Sequence, residues 1–324
     1  MATILVTGAA GFIGSHTCDQ LLHVGYEVVG ADNLRSGHRR NLSNAERSGR
    51  FRLLNIDLTD EGCLRAMVEM ARPSAIVHLA ALVSVPESIA KPSLNFHLNV
   101  RLPQLIVETA RSYNVGRIIF ASSAAVYGEN PAAALTESGE TRPISPYGGA
   151  KLAAETLLLS QGAAFGIVVR CMRYFNVFGP RQDPTSSYSG VISIFGDRLR
   201  AGLAPTIFGD GEQTRDFISV HDVARANIMA ATAQNLKSGI TNICTGRGVS
   251  LKELGTALRR LIPNAPEFKY APAREGDIRH SVGSPDRALA ELGFSAKVSL
   301  EAGLAELVGP SSDAQLPSRG RVAS

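Results

Sequence analysis

Tyr147 and Lys151 stand four residues apart in the stretch 144–151, ISPYGGAK. Ser145 is a good helix N-cap and Pro146 suits the first helical position, so a helix is predicted to open just before the tyrosine. Four residues of helix advance about 6 Å and return to the same face. The phenol and the ammonium therefore share one side of the first turns. A free tyrosine ionises near pH ~10 and is a poor base at neutral pH. A neighbouring ammonium, a helix N-terminus and a nearby nicotinamide cation all favour the phenolate, so together they are expected to lower the Tyr147 pKa by a few units. Such a phenolate is a general base for a hydroxyl proton, with Lys151 keeping it charged. Gly148 and Gly149 cost about 1 kcal/mol each in a helix, which predicts a close approach at this turn. The Tyr-x-x-x-Lys spacing taken alone also fits an ordinary capped surface helix.

Two further groups narrow the chemistry. The apolar run Arg117–Ala121 ends in Ser122-Ser123. A serine at the carboxyl end of a central strand points into a ligand crevice, where Ser123 can hydrogen-bond the reacting oxygen. Near the start, Gly8-Ala9-Ala10-Gly11-Phe12-Ile13-Gly14 lies between a strand and a helix. Glycines there let the backbone turn tightly against a pyrophosphate, which meets the free N–H groups of the helix start. The spacing is GxxGxxG. Asp32 ends the next strand, 18 residues after Gly14. Its carboxylate can accept both adenosine ribose hydroxyls and would repel a 2′-phosphate, which favours NAD over NADP. Arg35, Arg39 and Arg40 keep NADP open. Asn33, Asp57 and Leu58 are placed toward the adenosine, and Leu79-Ala80-Ala81 where small residues let the backbone approach the cofactor. Ser122 joins these positions, and Lys151 is expected to hold the cofactor ribose as well.

The elements that must position these residues follow from pattern. Short apolar runs at Thr3–Val6, Glu27–Ala31, Phe51–Leu54, Ala75–Leu79, Arg117–Ala121 and Ile167–Met172 read as strands. Helical stretches separate them at Phe12–Val24, Asp60–Ala71, Ser93–Asn114 and Pro146–Ala164. This alternation predicts an α/β fold, a Rossmann-type doubly wound parallel sheet covered on both faces. After Tyr174 the loops lengthen, and helix–strand pieces continue at Ile192–Ala201, His221–Ala233, Thr241–Cys244 and Leu251–Ile262. We expect an NAD-binding domain over 1–175 and a smaller α/β substrate domain mainly over 176–308, with the chain crossing back between them. The polar stretch 309–324 reads as a disordered tail.

Composition excludes several classes. The chain has 324 residues, 44% hydrophobic and 19% charged, with a formal charge of +4. It holds no apolar run of the roughly 18 residues that a membrane span needs. No long basic run with interleaved aromatics suggests nucleic-acid binding. The start, MATILVTGAAGFIG, reads as a buried strand rather than a signal peptide. Cys18, Cys63, Cys171 and Cys244 are far apart, so no metal site is expected and a reduced cytoplasmic setting is the simple reading.

The chain resembles the extended short-chain dehydrogenase/reductase family from about Ile4 to about Leu304. The resemblance is carried by TGAAGFIGSH, DN at 32–33, HLAA at 78–81, SSAAVYGENP at 122–131, SPYGGAK and RYFNVFGPRQ at 173–182. FGDGEQTRDFISVHDV at 208–223 and REGDIRHS at 274–281 extend it. Within the family it is most similar to 4-epimerases of UDP-hexoses, especially the branch that handles UDP-N-acetylglucosamine. The resemblance implies that Tyr147 takes the sugar O4 proton while NAD takes the C4 hydride. The 4-keto sugar turns over and the hydride returns to its other face. Ser123 and Lys151 match the family serine and lysine, Asn99 a cofactor contact, and Tyr174 and Phe175 positions beside the nicotinamide. Asn176, Arg215 and Arg274 match diphosphate contacts, Asp277 a ribose contact, Phe208 an apolar neighbour of the uracil, and Val191 completes the substrate set. A homodimer through a four-helix bundle, built from the helices near Ser93–Asn114 and Pro146–Ala164, is also implied.

Departures from close relatives matter too. Nucleotide-sugar 4,6-dehydratases carry an Asp-Glu pair after the strand-end Ser/Thr, and decarboxylating relatives a Glu. Here Ala124 and Ala125 stand there, and alanine transfers no proton. Ser281 occupies a position where a bulky aromatic closes the sugar pocket in this family. A serine leaves room for an N-acetyl group, and Ser84 can add a polar contact. UDP-glucose and UDP-galactose remain expected substrates. Arg181 or Arg279 could instead receive a uronate carboxylate. A net oxidoreductase acting on a nucleotide sugar is the other alternative.

Overall fold

The structure is a computed structural model that describes residues 2–130, 132–183, 190–273 and 278–309. The expectations for Arg274, Asp277 and residues 310–324 lie outside the described residues. The first half runs β1 (Thr3–Thr7), α1 (Phe12–His23), β2 (Glu27–Asp32), a short α2 (Ser43–Glu46), β3 (Phe51–Asn55), α3 (Glu61–Ala71) and β4 (Ala75–His78). It continues with α4 (Val85–Ala90), α5 (Pro92–Phe96), α6 (Leu102–Ser112), β5 (Arg117–Ser123), α7 (Pro146–Phe165) and β6 (Val168–Tyr174). The second half runs β7 (Asn176–Phe178), α8 (Val191–Arg200), β8 (Thr206–Phe208), β9 (Thr214–Ser219), α9 (Val220–Thr232) and β10 (Gly239–Ile243). It ends with β11 (Gly248–Ser250), α10 (Leu251–Leu261), β12 (Lys269–Ala271), β13 (His280–Ser281), α11 (Asp286–Leu292) and α12 (Leu300–Val308).

Seven strands form one parallel sheet in the order β3-β2-β1-β4-β5-β6-β10. Alternation along β1 explains why the sheet is covered twice. Ile4 and Val6 face one core with Cys18 and Leu21 of α1 and Val223 and Ala230 of α9. Leu5 faces the other, with Leu64 and Val68 of α3, Ile106 of α6 and Leu158 of α7. Each fully buried side chain of this kind contributes about 1.5–3 kcal/mol relative to exposure. The strand order reverses between β1 and β4, and a crevice opens at the carboxyl ends there.

The division at residue 175 is not a clean cut. The chain builds β7, α8, β8 and β9, then returns: α9 packs on the seven-stranded sheet and β10 extends it beside β6. The second unit has its own sheet, β11-β9-β13 with β7 joined to β9, and its own core around Phe178, Phe195, Phe217 and Leu254. The long helix expected over 93–114 is also interrupted. α5 and α6 are joined by a widened π turn, His97–Arg101. Pro103 has no N–H for the Asn99 carbonyl four residues earlier, and the turn opens at that place. Among the described residues no helix is long and apolar enough to cross a membrane. All four cysteines are unpaired, and only Cys63 is exposed.

Candidate active site

A cavity of about 720 Å³ runs along the carboxyl ends of β1, β2, β4 and β5 and under β7 and β9. Its floor is the turn after β1. Gly8 takes a φ of +68°, and Gly11 is the N-cap of α1. A side-chain carbon on Gly14 would lie 2.0 Å from the Gly8 carbonyl oxygen, so only glycine lets α1 start this close to β1. The first-turn N–H groups have no partner within the helix and face the crevice end. Thr7 sets the opposite wall: its hydroxyl accepts the N–H groups of Leu79 and Ala80 at 3.1 and 3.2 Å and bonds His78 Nδ1 at 2.7 Å.

Asp32 closes the adenosine end. It accepts the Ala10 and Leu34 N–H groups at 2.9 and 2.8 Å, and burial pushes its pKa up against the pull of both bonds. The Thr59 N–H holds Asp57 below its ordinary range. Arg35 lines the cavity but is paired with Glu87, and Arg39 is paired with Glu46. The donors and the close-packed glycine turn suit a dinucleotide with an unphosphorylated adenosine ribose.

The reactive groups meet at the other end. Ser145 caps α7 by accepting the Gly148 N–H at 3.1 Å. Ser88 of α4 receives the Tyr147 N–H at 3.2 Å, and Asn95 of α5 donates to the Pro146 carbonyl at 2.9 Å. Two short helices thus clamp the turn that carries the tyrosine. Ser123 stands close enough to the Tyr147 hydroxyl to favour its ionised form. Lys151 is buried, donates to the Ala121 carbonyl at 2.9 Å, and lies 5.9 Å from the Tyr147 ring centre and 4.8 Å from that of Phe120.

The close approach predicted at the glycines comes from the chain itself: a side-chain carbon on Gly148 would lie 2.6 Å from the Ala125 carbonyl oxygen. Nothing lies within 4 Å at Gly149. In the chain by itself burial pushes the Tyr147 pKa up, with Ser123 opposing, and burial pulls Lys151 down to about 7, with Glu155 opposing. The expected lowering of Tyr147 therefore falls to the nicotinamide cation, the third of the positive groups it was argued from.

Most residues singled out in the sequence line this one cavity: Gly8, Gly11, Phe12, Ile13, Gly14, Asp32, Asn33, Asp57, Leu58, Leu79, Ala80, Ala81, Ser122, Ser123, Tyr147, Lys151, Tyr174, Phe175, Asn176 and Val191. Among the described residues, Ser84, Asn99, Phe208, Arg215 and Ser281 are not on its wall. Ser84 is buried as the cap of α4, accepting the Glu87 N–H. Asn99 is fully buried and donates to the Leu82 carbonyl and the Asn95 side chain. Phe208 is in β8, paired with β12. Arg215 and Ser281 form an in-register pair on β9 and β13, and Arg215 lies on the same face of β9 as Phe217. Phe217 lines the cavity opposite its partner Asn176, so this face continues the cavity beyond its wall. The sequence reading missed Thr7, His78, Phe217 and the buried pair Glu155–Arg173. A hydroxyl ending the first strand was the one available local signal.

Residues 4–244 match the family described as the NAD-dependent epimerase/dehydratase family. The chain belongs to that family, the extended short-chain dehydrogenase/reductases; it is an isomerase and NAD is its cofactor. Relatives that it matches include 4-epimerases. It is 38% identical over 307 residues to the UDP-glucose 4-epimerase of Mycolicibacterium smegmatis, covering 94% of this chain and 96% of that one. Two solved structures superpose with a TM-score of 0.89. One is the UDP-glucose 4-epimerase of Thermotoga maritima with UDP-glucose, 38% identical, covering 94% of this chain and 97% of that chain. The other is the UDP-N-acetylglucosamine 4-epimerase of Methanobrevibacter ruminantium with UDP-N-acetylmuramic acid, 36% identical, covering 95% and 97%.

Proposed function

We propose that the protein is a 4-epimerase of UDP-hexoses that favours UDP-N-acetylglucosamine and UDP-N-acetylgalactosamine and also turns over UDP-glucose and UDP-galactose. The observation that carries this reading is the Ser123–Tyr147–Lys151 cluster, set in the dinucleotide cavity with alanines at the two positions after Ser123. Bound NAD supplies a hydride acceptor and donor at the sugar C4, and a positive charge beside the phenol. Tyr147 takes the proton from O4 and returns it to the inverted alcohol. Ser123 holds that oxygen throughout. Lys151 supports the phenolate from the same helix face. Proton and hydride both leave and both return, so the net change is the configuration at C4. Ala124 and Ala125 form the tight turn after Ser123, which leaves no proton carrier there for dehydration or decarboxylation.

Sugar preference rests on Ser281. It pairs with Arg215, on the sheet face that continues from Phe217 and Asn176, and in this reading its small side chain is what admits the acetyl group. Arg215 is assigned to the diphosphate, together with Asn176 and Arg274. The two arginines that might have favoured a uronate are engaged: Arg279 grips Asp210 through two bonds of 2.7 and 2.8 Å, and Arg181 pairs with Asp19 at 2.7 Å. Ser281→Tyr is expected to cut epimerisation of the N-acetylated sugars about 10-fold or more while UDP-glucose turnover stays within a few fold. Parallel progress curves on both substrates check this. Equal losses on both would remove Ser281 from specificity.

We assign residues 1–175 chiefly to NAD and 176–308 chiefly to the nucleotide sugar. We also assign a cytoplasmic homodimer, built on a four-helix bundle of α6 and α7 from each copy. Phe96, 60% exposed on α5, adds apolar surface to that side. Sedimentation equilibrium tests the dimer, and a monomer at micromolar concentration would overturn it. The reaction itself is tested by proton NMR of the purified protein with UDP-N-acetylglucosamine or UDP-glucose, without added cofactor. The acetylated C4 epimer supports the whole reading. Epimer from UDP-glucose alone keeps the reaction and overturns the preference. No epimer from either sugar, even with NAD added, rejects the 4-epimerase; stoichiometric NADH would point to a net oxidoreductase.

A further inference from the structure

Beneath the reactive face lies a cluster of charges that the steps above do not use. Glu155 is on α7, four residues beyond Lys151 and eight beyond Tyr147, so the three share one helix face. Its carboxylate is 1% exposed and accepts three hydrogen bonds. Arg173 of β6 donates from Nε at 2.9 Å and from Nη2 at 2.7 Å, and the Ser122 hydroxyl of β5 donates the third. Ser122 and Arg173 are themselves an in-register pair of the sheet. Ser122 sits between Ala121, whose carbonyl receives Lys151, and Ser123. One carboxylate therefore ties together the strand end, its neighbour and the helix that carry every reactive group.

The charge count adds to this. Lys151 and Arg173 are two buried cations, each 2% exposed, and Glu155 is the buried anion between them. The other titratable groups around Lys151 give it little support. Tyr147 is on its own helix. His78 of β4, held neutral by burial, stacks on Phe120 of β5. Cys171 of β6 is held as a thiol by burial. Burial draws Lys151 toward its neutral form, and Glu155 opposes it. A buried ion pair is a poor source of stability, since apolar side chains of equal volume do as well, so its presence under the site calls for another role.

We propose that Glu155 is a positioning residue of the active site: it fixes Ser122 against α7, and its negative charge supports the Lys151 ammonium from the same helix face. The proposal rests on the assignment of Tyr147 and Lys151 above. Its test reads the lysine directly, so it does not depend on which sugar is turned over. The chain has six lysines, which makes carbon NMR of the lysine Cε groups tractable, with the Lys151 signal assigned by its loss in Lys151→Met. The NAD-loaded protein is titrated as wild type, Glu155→Gln, Glu155→Asp and the double variant Glu155→Gln/Arg173→Met. The double variant removes the uncompensated arginine that could unfold the single one.

Loss of the Glu155 charge is expected to move the Lys151 titration down by about one pH unit or more. The sign follows directly: a carboxylate raises the pKa of a neighbouring ammonium, and removing it lets the proton leave at lower pH. The alkaline limb of kcat moves down by the same amount, in the single and the double variant alike, while Glu155→Asp recovers most of the shift. A Lys151 titration that stays at its wild-type position in the double variant overturns the proposal, whatever happens to kcat. So does a double variant that restores the wild-type pH profile, because Glu155 would then serve only to neutralise Arg173. Failure of the 4-epimerase reading shows itself separately, as absence of epimer from wild type.

Discussion

Tyr147→Phe is expected to fold, to retain NAD and to lose turnover by about 10²- to 10⁴-fold. The substitution takes away one oxygen and keeps the ring that packs against Lys151. The chain loses no more than a polar contact with Ser123, worth about 1 kcal/mol at most, so the fold survives. It also loses the only side chain placed to carry a proton to and from the substrate oxygen in our assignment. The measurement is initial-rate epimerisation by NMR beside a cofactor assay on the denatured protein. Turnover within a few fold of wild type would reject Tyr147 as the base. Loss of the cofactor together with activity would instead assign the residue to cofactor binding.

Gly14→Ala is expected to do the reverse: to remove the cofactor, and activity with it. The added carbon would lie 2.0 Å from the Gly8 oxygen and 2.8 Å from the Gly8 carbonyl carbon. Both are backbone atoms, so no side chain can yield, and α1 must shift off the end of β1. That movement withdraws the helix N-terminus from the pyrophosphate position, and overpacking of this kind costs about 1–3 kcal/mol in stability. We expect protein purified without cofactor, NAD affinity weakened by about 100-fold or more, and a lower melting temperature; a 100-fold loss corresponds to about 2.7 kcal/mol. Gly116→Ala is the control. Nothing lies within 4 Å of its added carbon, and NAD retention should be unchanged. Wild-type NAD affinity in Gly14→Ala would show that the turn does not hold the pyrophosphate.

The parts of this site that could be read from the sequence are those where local pattern and chemistry coincide. The glycine turn lies between an apolar strand and a helix, and Asp32 ends the next strand. Ser145 and Pro146 announce the start of α7 within a few residues of the groups it carries. What escaped depends on the folded surroundings. Desolvation works against the phenolate of Tyr147 in the chain by itself, and no spacing in the chain reports burial. The approach predicted at Gly148 is real, but its source is Ala125, brought there by the turn after β5. Glu155 and Arg173 come from separate elements and meet only because α7 packs on β6. Arg215 and Ser281 are adjacent only through the β9–β13 register, so their relation to Phe217 and Asn176 had no local trace. The break in the long helix was the exception: Pro103 was visible, and the widened turn before it follows from a missing donor.

The return of the chain at β10 has a consequence for biosynthesis. β10 covers the outer edge of β6, so a nascent chain released from the ribosome only as far as β6 presents that edge unpaired. Unpaired edges invite pairing with another chain. Completing the edge requires β7, α8, β8, β9 and α9 to be made first, so the seven-stranded sheet cannot close until the first part of the second unit has been translated. A truncation after residue 175 should therefore be an aggregating fragment rather than a small NAD-binding protein.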